Sequence, residues 1–246
     1  MSEIDIERFA RHIVLKEIGG PGQQKLKRAR IFITGAGGLG SPAALYLAAA
    51  GVGHLTIADP DTVSLDNLQR QVLYRTDEVG EPKVLRGKAA LTALNPGTEI
   101  DARQVALTPA NARELIAGHD LVLDGTDDFA TRFAVNDACL AERIPLVSGA
   151  VGRWDGQVGV FGATPESPCY RCLVPDIPPD AETCARVGIV GALPGMIGSM
   201  MALEAIKHIT GAGDTLDGRI FLFDGLAAEA RTLRLPRDPA CPACGG

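Results

Sequence analysis

The run Arg30-Ile31-Phe32-Ile33-Thr34, followed by Gly35-Ala36-Gly37-Gly38-Leu39-Gly40 and then Ser41 to Ala50, constrains this 246-residue chain more than any other feature. The first five residues read as a short buried strand, and the alanine-rich stretch ending at Gly51 reads as a helix. Between them, G-x-G-x-x-G lets the backbone turn sharply and approach a phosphate, which the free N–H groups at the helix start can bind. Leu55 to Ala58 is the next strand. Asp59, nineteen residues beyond Gly40, closes it at a place where a carboxylate can accept hydrogen bonds from ribose hydroxyls. The pattern points to an adenosine nucleotide without saying which. The plain alternative is a glycine turn needed only for close strand–helix packing.

Other segments continue the alternation. Residues 5–18 have helical apolar spacing, with Gly19-Gly20-Pro21-Gly22 as the expected stop. Pro82 to Leu94 is a helix with proline at its first position, Leu121 to Leu123 a strand, Phe129 to Arg143 a helix and Pro145 to Ser148 a strand. This rhythm predicts an α/β fold, a Rossmann-like, mostly parallel sheet with helices on both faces. After Gly149 the texture changes: Gln157–Phe161 and Arg219–Phe223 read as antiparallel strands around a helix near Gly198–Ile209. No linker is long enough to separate independent units. Residues 1–246 are therefore expected to form one unit, with a nucleotide-binding part over 1–149 and a C-terminal part over 150–246.

The formal charge is −6 and no basic run interrupts it, which argues against a broad nucleic-acid or anionic-membrane surface. The uncharged stretches Ile31–Ala58 and Val187–Leu203 are broken by Gly and Pro and do not read as membrane helices. MSEIDIERFARH lacks the apolar core of a secretory signal, so a cytoplasmic location is expected. In that setting six cysteines suggest metal or thiol chemistry before disulfides.

Arg70 and Lys83 supply positive charge close in sequence to the glycine turn, suited to a triphosphate more than to a dinucleotide. Lys83 stands near a helix start, where the dipole disfavours a cation and a bound anion would relieve the penalty. The competing reading is a solvated lysine paired with Glu81 or Glu78. Leu123-Asp124-Gly125-Thr126-Asp127-Asp128 ends another strand with three carboxylates, beyond the carboxyl end where ligands bind in open α/β sheets. Carboxylate oxygens suit Mg²⁺, although an acidic turn that caps the following helix explains them equally well.

Cys169-Tyr170-Arg171-Cys172 and Cys241-Pro242-Ala243-Cys244 are two C-x-x-C pairs separated by 68 residues. Two such knuckles complete a tetrahedral sulfur site for structural Zn²⁺, with no position left for substrate. A redox dithiol is the rival. Cys139, within an apolar helix, reads as a buried thiol. Cys184, in a polar segment beside Arg186, reads as a candidate reactive thiol.

Together these motifs resemble the MoeB/ThiF/HesA family, relatives of the ubiquitin-activating enzymes, and most closely its MoeB branch. The match runs from Arg8-Phe9-Ala10-Arg11-His12 through GAGGLG, DTVSLDNLQRQ, VGEPK and LDGTDD to PCYRCL and CPACG. The resemblance implies ATP-dependent adenylylation of the C-terminal carboxylate of a small ubiquitin-like sulfur carrier ending in Gly-Gly. It implies Gly38 and Gly40 at the nucleotide, Asp59 at the ribose, and Asn67, Arg70 and Lys83 at the phosphates, within a binding segment Asp66-Asn67-Leu68-Gln69-Arg70. It further implies Asp127 at Mg²⁺ with Asp128 beside it, Arg11 reaching across a homodimer into the partner's ATP site, and zinc on Cys169, Cys172, Cys241 and Cys244. Cys184 aligns with a cysteine that forms a thioester or disulfide in some members. Two positions depart from the family: Asp128 where Asn is frequent, and Asp66 where Ser is common. The glycine motif and Asp59 alone would also fit an NAD-dependent oxidoreductase, and a non-catalytic carrier-binding subunit is a third reading.

Overall fold

The structure is a computed structural model that describes residues 2–177 and 188–245. Its eight strands form one sheet in the order β3-β2-β1-β4-β5-β6-β7-β8. The strands are β1 (Arg30–Thr34), β2 (His54–Ala58), β3 (Glu99–Arg103), β4 (Leu121–Asp124), β5 (Leu146–Val151), β6 (Asp155–Phe161), β7 (Arg219–Asp224) and β8 (Glu229–Arg234). The first five pair in parallel and the last three continue the sheet antiparallel. The expected parallel sheet with an antiparallel extension is what forms.

Alternation within β1 explains how both faces are covered. Ile31 and Ile33 point to one layer and Phe32 to the other, and all three are fully buried. The first layer packs the sheet against α3 (Gly19–Arg28), α4 (Gly40–Ala49), α5 (Lys83–Leu94) and α9 (Ala192–Thr210). The second packs it against α6 (Ala112–Ile116), α7 (Phe129–Glu142) and α8 (Tyr170–Leu173). At about 1.5–3 kcal/mol for each fully buried aliphatic or aromatic side chain, these two layers are the main source of stability. Cys139 is buried in the second layer, as its helix spacing suggested.

The N-terminal reading over 5–18 is corrected. The helix breaks into α1 (Glu3–Arg8) and α2 (Ala10–Ile13) at Phe9, which leaves helical geometry and buries its ring against Gly51. Gly19-Gly20-Pro21-Gly22 does not stop a helix but opens α3. Proline is tolerated in a first turn because its missing N–H has no intrahelical partner there. The same rule lets α9 begin at Ala192, with Pro194 in its first turn, earlier than Gly198. Pro82 is the residue before α5, which makes Lys83 the first helical residue. β3, α6 and β8 had no sequence expectation; β8 is exposed at every residue and so carries no apolar signature.

Candidate active site and metal centre

β1 and β4 lie side by side with Thr34 opposite Asp124. The glycine turn leaves one strand and the acidic turn leaves the other, where the order of strands along the sheet reverses. The Gly125 N–H donates to the Thr34 carbonyl at 3.0 Å and the Gly35 N–H to the Ala58 carbonyl at 2.9 Å. Gly35 has φ +85°, which favours glycine, and a Cβ on Gly40 would overlap the Gly35 carbonyl. The first and last glycines of G-x-G-x-x-G are thus required by the turn itself, whereas a Cβ at Gly37 would meet only an ordinary contact, at 3.5 Å, on the cleft side.

A cleft of about 330 Å³ opens between these turns. Gly38, Asp59, Asn67, Arg70, Lys83 and Asp127 line it, so six of the sequence-predicted residues share one cavity. Asp59 is buried and fixes the turn: its Oδ2 accepts from the Ala36 N–H at 2.7 Å and its Oδ1 from the Asp61 N–H at 2.8 Å. Arg70 donates from Nη2 to Asn67 Oδ1 at 2.5 Å and from Nη1 to the Asp66 carbonyl at 3.2 Å. Lys83 corrects the solvated reading. It is 4% exposed and donates to Asp61 at 2.9 Å, while Glu78 takes Arg86 instead, at 2.7 Å. A buried ammonium at the first residue of a helix needs such an anion.

Asp127 is exposed at the cleft and makes no hydrogen bond or ion pair among the described residues. Its neighbour Asp128 caps α7 by accepting from the Thr131 N–H at 2.8 Å and does not line the cleft. Gly40, Asp66, Leu68 and Gln69 also lie outside the lining. Gly40 packs under the turn and Leu68 against the core. Asp66 is exposed, with the Ser64 hydroxyl holding its carboxyl below the usual carboxylate range. Arg11 is exposed on α2, away from the cleft of its own chain. Cys184 lies outside the described residues.

Sequence reasoning missed six polar residues of the cleft: Asp61, Gln71, Thr126, Arg132, Gln157 and Tyr170. Arg132 is 5% exposed and donates to Ser148 Oγ at 3.2 Å, to the Gly149 carbonyl at 2.8 Å and to the Thr126 carbonyl. Burial works against its charge, but Asp124 at 3.8 Å together with Tyr170 and Asp127 outweighs it, and the guanidinium stays ionised. Asp124 in turn accepts from Thr126 Oγ1 at 2.6 Å and from Ser148 Oγ at 3.1 Å. The acidic turn therefore rests on a buried polar network, and of its three carboxylates Asp127 is the one that makes no hydrogen bond among the described residues and faces the cleft. Arg132 stands three residues before Val135 and seven before Cys139, on the buried stripe of α7, and that spacing was its available signal.

Arg132 also lies over the Tyr170 ring, 5.8 Å from its centroid, and Asn136 Oδ1 accepts from the Tyr170 N–H at 2.8 Å. Tyr170 stands inside the first cysteine knuckle. Cys169 and Cys241 bring their sulfurs to 3.6 Å and Cys172 and Cys244 to 3.4 Å, with all four within 4.8 Å of one another. Zinc–sulfur bonds of about 2.3 Å in a tetrahedron put sulfurs about 3.8 Å apart, so the donor set fits zinc. Burial works to raise the Cys241 thiol, but the Ala243 and Cys244 amides and the neighbouring thiols bring it down to about 7. At Cys241 that favours the thiolate a metal needs. Burial above all holds the Cys169 and Cys172 thiols above the ordinary value instead, so a bound cation would have to drive the deprotonation of those two.

A model of the ThiF family matches residues 9–243. The chain is 46% identical to the sulfur carrier protein adenylyltransferase of Thermus thermophilus, over 98% of this chain and 91% of that one. It is 45% identical to the molybdopterin-synthase adenylyltransferase of Escherichia coli K12, over 100% and 98% of the two chains. With the sulfur carrier protein ThiS adenylyltransferase of the same organism, identity is 44% over 100% and 98%. Among solved structures, E. coli MccB with succinimide superposes with a TM-score of 0.86 at 20% identity, over 100% of this chain and 75% of that one, a likeness of fold. No helix among the described residues is long and apolar enough to cross a membrane. On the extent of the match and the level of identity, the chain belongs to the ThiF family.

Proposed function

We propose that this chain adenylylates the C-terminal Gly-Gly carboxylate of a small ubiquitin-like sulfur-carrier protein. A carboxylate oxygen attacks the α-phosphorus of ATP. The bond from that phosphorus to the bridging oxygen of the β-phosphate breaks, and pyrophosphate leaves with the electron pair, giving an acyl-adenylate. The observation that carries this reading is the meeting, in one cleft, of the glycine turn, Asn67, Arg70, Lys83 and an unengaged Asp127. The names of the relatives support it, and they give no support to the NAD-dependent oxidoreductase that the glycine motif alone would allow.

Each residue has a task that its position suits. The glycine-turn N–H groups and the start of α4 bind phosphate, and Asp59 accepts from ribose. Lys83 and Arg70, with Asn67, draw charge off the departing pyrophosphate and align it for in-line displacement. Asp127 would hold Mg²⁺, which when bound screens the triphosphate and stabilises charge on the leaving group. No general base is required, because the attacking carboxylate is already ionised at neutral pH. The cysteine quartet would hold Zn²⁺ in a structural role, anchoring residues 241–244 to residues 169–172.

Arg11 is assigned to the ATP site of a second copy in a homodimer. Mixing inactive Arg11→Ala and Lys83→Ala chains should then restore part of the activity, since one of the two sites in a mixed dimer is intact. Cys184 remains the candidate for a covalent step with the carrier. The direct test is incubation with ATP, Mg²⁺ and a Gly-Gly-ended carrier: pyrophosphate is released in step with acyl-adenylate. Carrier binding without pyrophosphate would instead select a presenting subunit that does no chemistry.

A further inference from the structure

Gln71 sits in the wall of the cleft beside Arg70 and is 4% exposed. Its backbone is well held: the N–H donates to the Asn67 carbonyl at 2.9 Å and its carbonyl accepts from the Tyr74 N–H at 3.3 Å. Its carboxamide is not. Among the described residues it makes no hydrogen bond, and Oε1 is enclosed without a partner. A buried amide in that state destabilises a fold, whereas an apolar side chain of similar volume would not. Such a group calls for an explanation in the liganded protein.

Two neighbours fix where the amide lies. Tyr74, three residues on, donates from its hydroxyl to the Ala36 carbonyl at 2.8 Å and pins this segment against the glycine turn. A Cβ built on Gly37 would stand 3.5 Å from Gln71 Nε2, so the amide nitrogen borders the turn. Arg70 and Lys83 bring formal charge to the same wall, whereas Gln71 brings a directed N–H donor with none.

We propose that Gln71 is a further nucleotide-binding residue, whose Nε2–H donates to a phosphate oxygen seated at the Gly37–Gly38 turn. In the free protein Nε2–H has no partner among the described residues and the triphosphate supplies one, whereas Oε1, itself an acceptor, gains nothing from a phosphate oxygen. This inference rests on the adenylyl-transfer reading above.

Gln71→Met keeps the volume and removes both polar atoms. In calorimetric titration with magnesium ATP the variant should bind about ten- to a hundredfold more weakly than the wild-type chain. The melting temperature of the nucleotide-free protein should rise by about 2–4 °C. Gln71→Glu, nearly isosteric but anionic against phosphate, should bind more weakly still. Wild-type affinity in Gln71→Met overturns the inference. A Gln71→Met variant that melts below the wild type overturns it too, since Gln71 would then be supporting the fold. Failure of the wild-type chain to take up magnesium ATP, with carrier supplied, removes the adenylyl-transfer reading and this inference with it.

Discussion

Lys83 Nζ lies 2.9 Å from Asp61 Oδ2, and the two side chains differ sharply in exposure, 5% against 63%. The ammonium is therefore held in the cleft wall by a carboxylate that water already solvates. A triphosphate entering the cleft competes with that carboxylate for the same cation. Asp61→Asn leaves the buried ammonium with a neutral partner, so it should cost about 1–3 kcal/mol of stability, and it should bind magnesium ATP severalfold more tightly. Lys83→Met should bind it at least about tenfold more weakly. Calorimetry on both variants decides the matter; equal affinities would show that Lys83 meets no phosphate.

Asp127 faces the cleft with no hydrogen bond or ion pair among the described residues. Asp127→Ala should therefore change stability by no more than about 0.5 kcal/mol. The same substitution should lower pyrophosphate release by about a hundredfold or more, if the carboxylate holds Mg²⁺. Undiminished turnover would take Asp127 out of the reaction.

Arg132 and Asp124 form a buried pair, at 6% and 1% side-chain exposure. Arg132→Met leaves Asp124 buried and unpaired, and urea denaturation should show a loss of about 3–5 kcal/mol. Adding Asp124→Leu should recover part of that loss, because the stranded charge goes with it.

Metal analysis should find about one Zn²⁺ per chain, and a chelator should lower the unfolding midpoint rather than only inhibit. Cys241→Ala should behave like the chelated protein. Stoichiometric disulfides with no metal would refute the site.

His119 carries a pH dependence. Its Nε2 meets Thr56 Oγ1 at 2.8 Å and its Nδ1 meets the Ile116 carbonyl at 2.9 Å. Burial, with Arg30 and His54 nearby, holds its pKa below the ordinary histidine value, although the Ile116 carbonyl pulls the other way. The unfolded chain thus takes up a proton first as pH falls. Stability contributed by neutral His119 is present above about pH 6.5 and declines below it, until the folded-state value is reached. Thermal melts from pH 7.5 to 5 should show this decline, and His119→Gln should flatten it.

The parallel core and its glycine turn were legible because strand, turn and helix each have a local signature, and in this segment all three agree. The two C-x-x-C pairs were legible because tetrahedral ligation demands that pairing of thiols. Lys83 was half legible: its position at a helix start could be read, but its burial and its partner Asp61 depend on the loop from Val63 to Pro82 folding back. Arg132 and Gln71 were not read at all. Each acquires its meaning from residues far away in the chain, Ser148 and Gly149 for one and Gly37 for the other, and no local pattern encodes those distances.

The adjacency of β1 and β4 has a mechanical consequence. The two turns that form the cleft leave neighbouring strands in the middle of the sheet, so their spacing is set by one rung of the ladder, about 4.8 Å between strands. No hinge lies between the jaws. Parting them would mean tearing the sheet at its centre, so any adjustment to cargo of different size must come from the peripheral segments that roof the cavity.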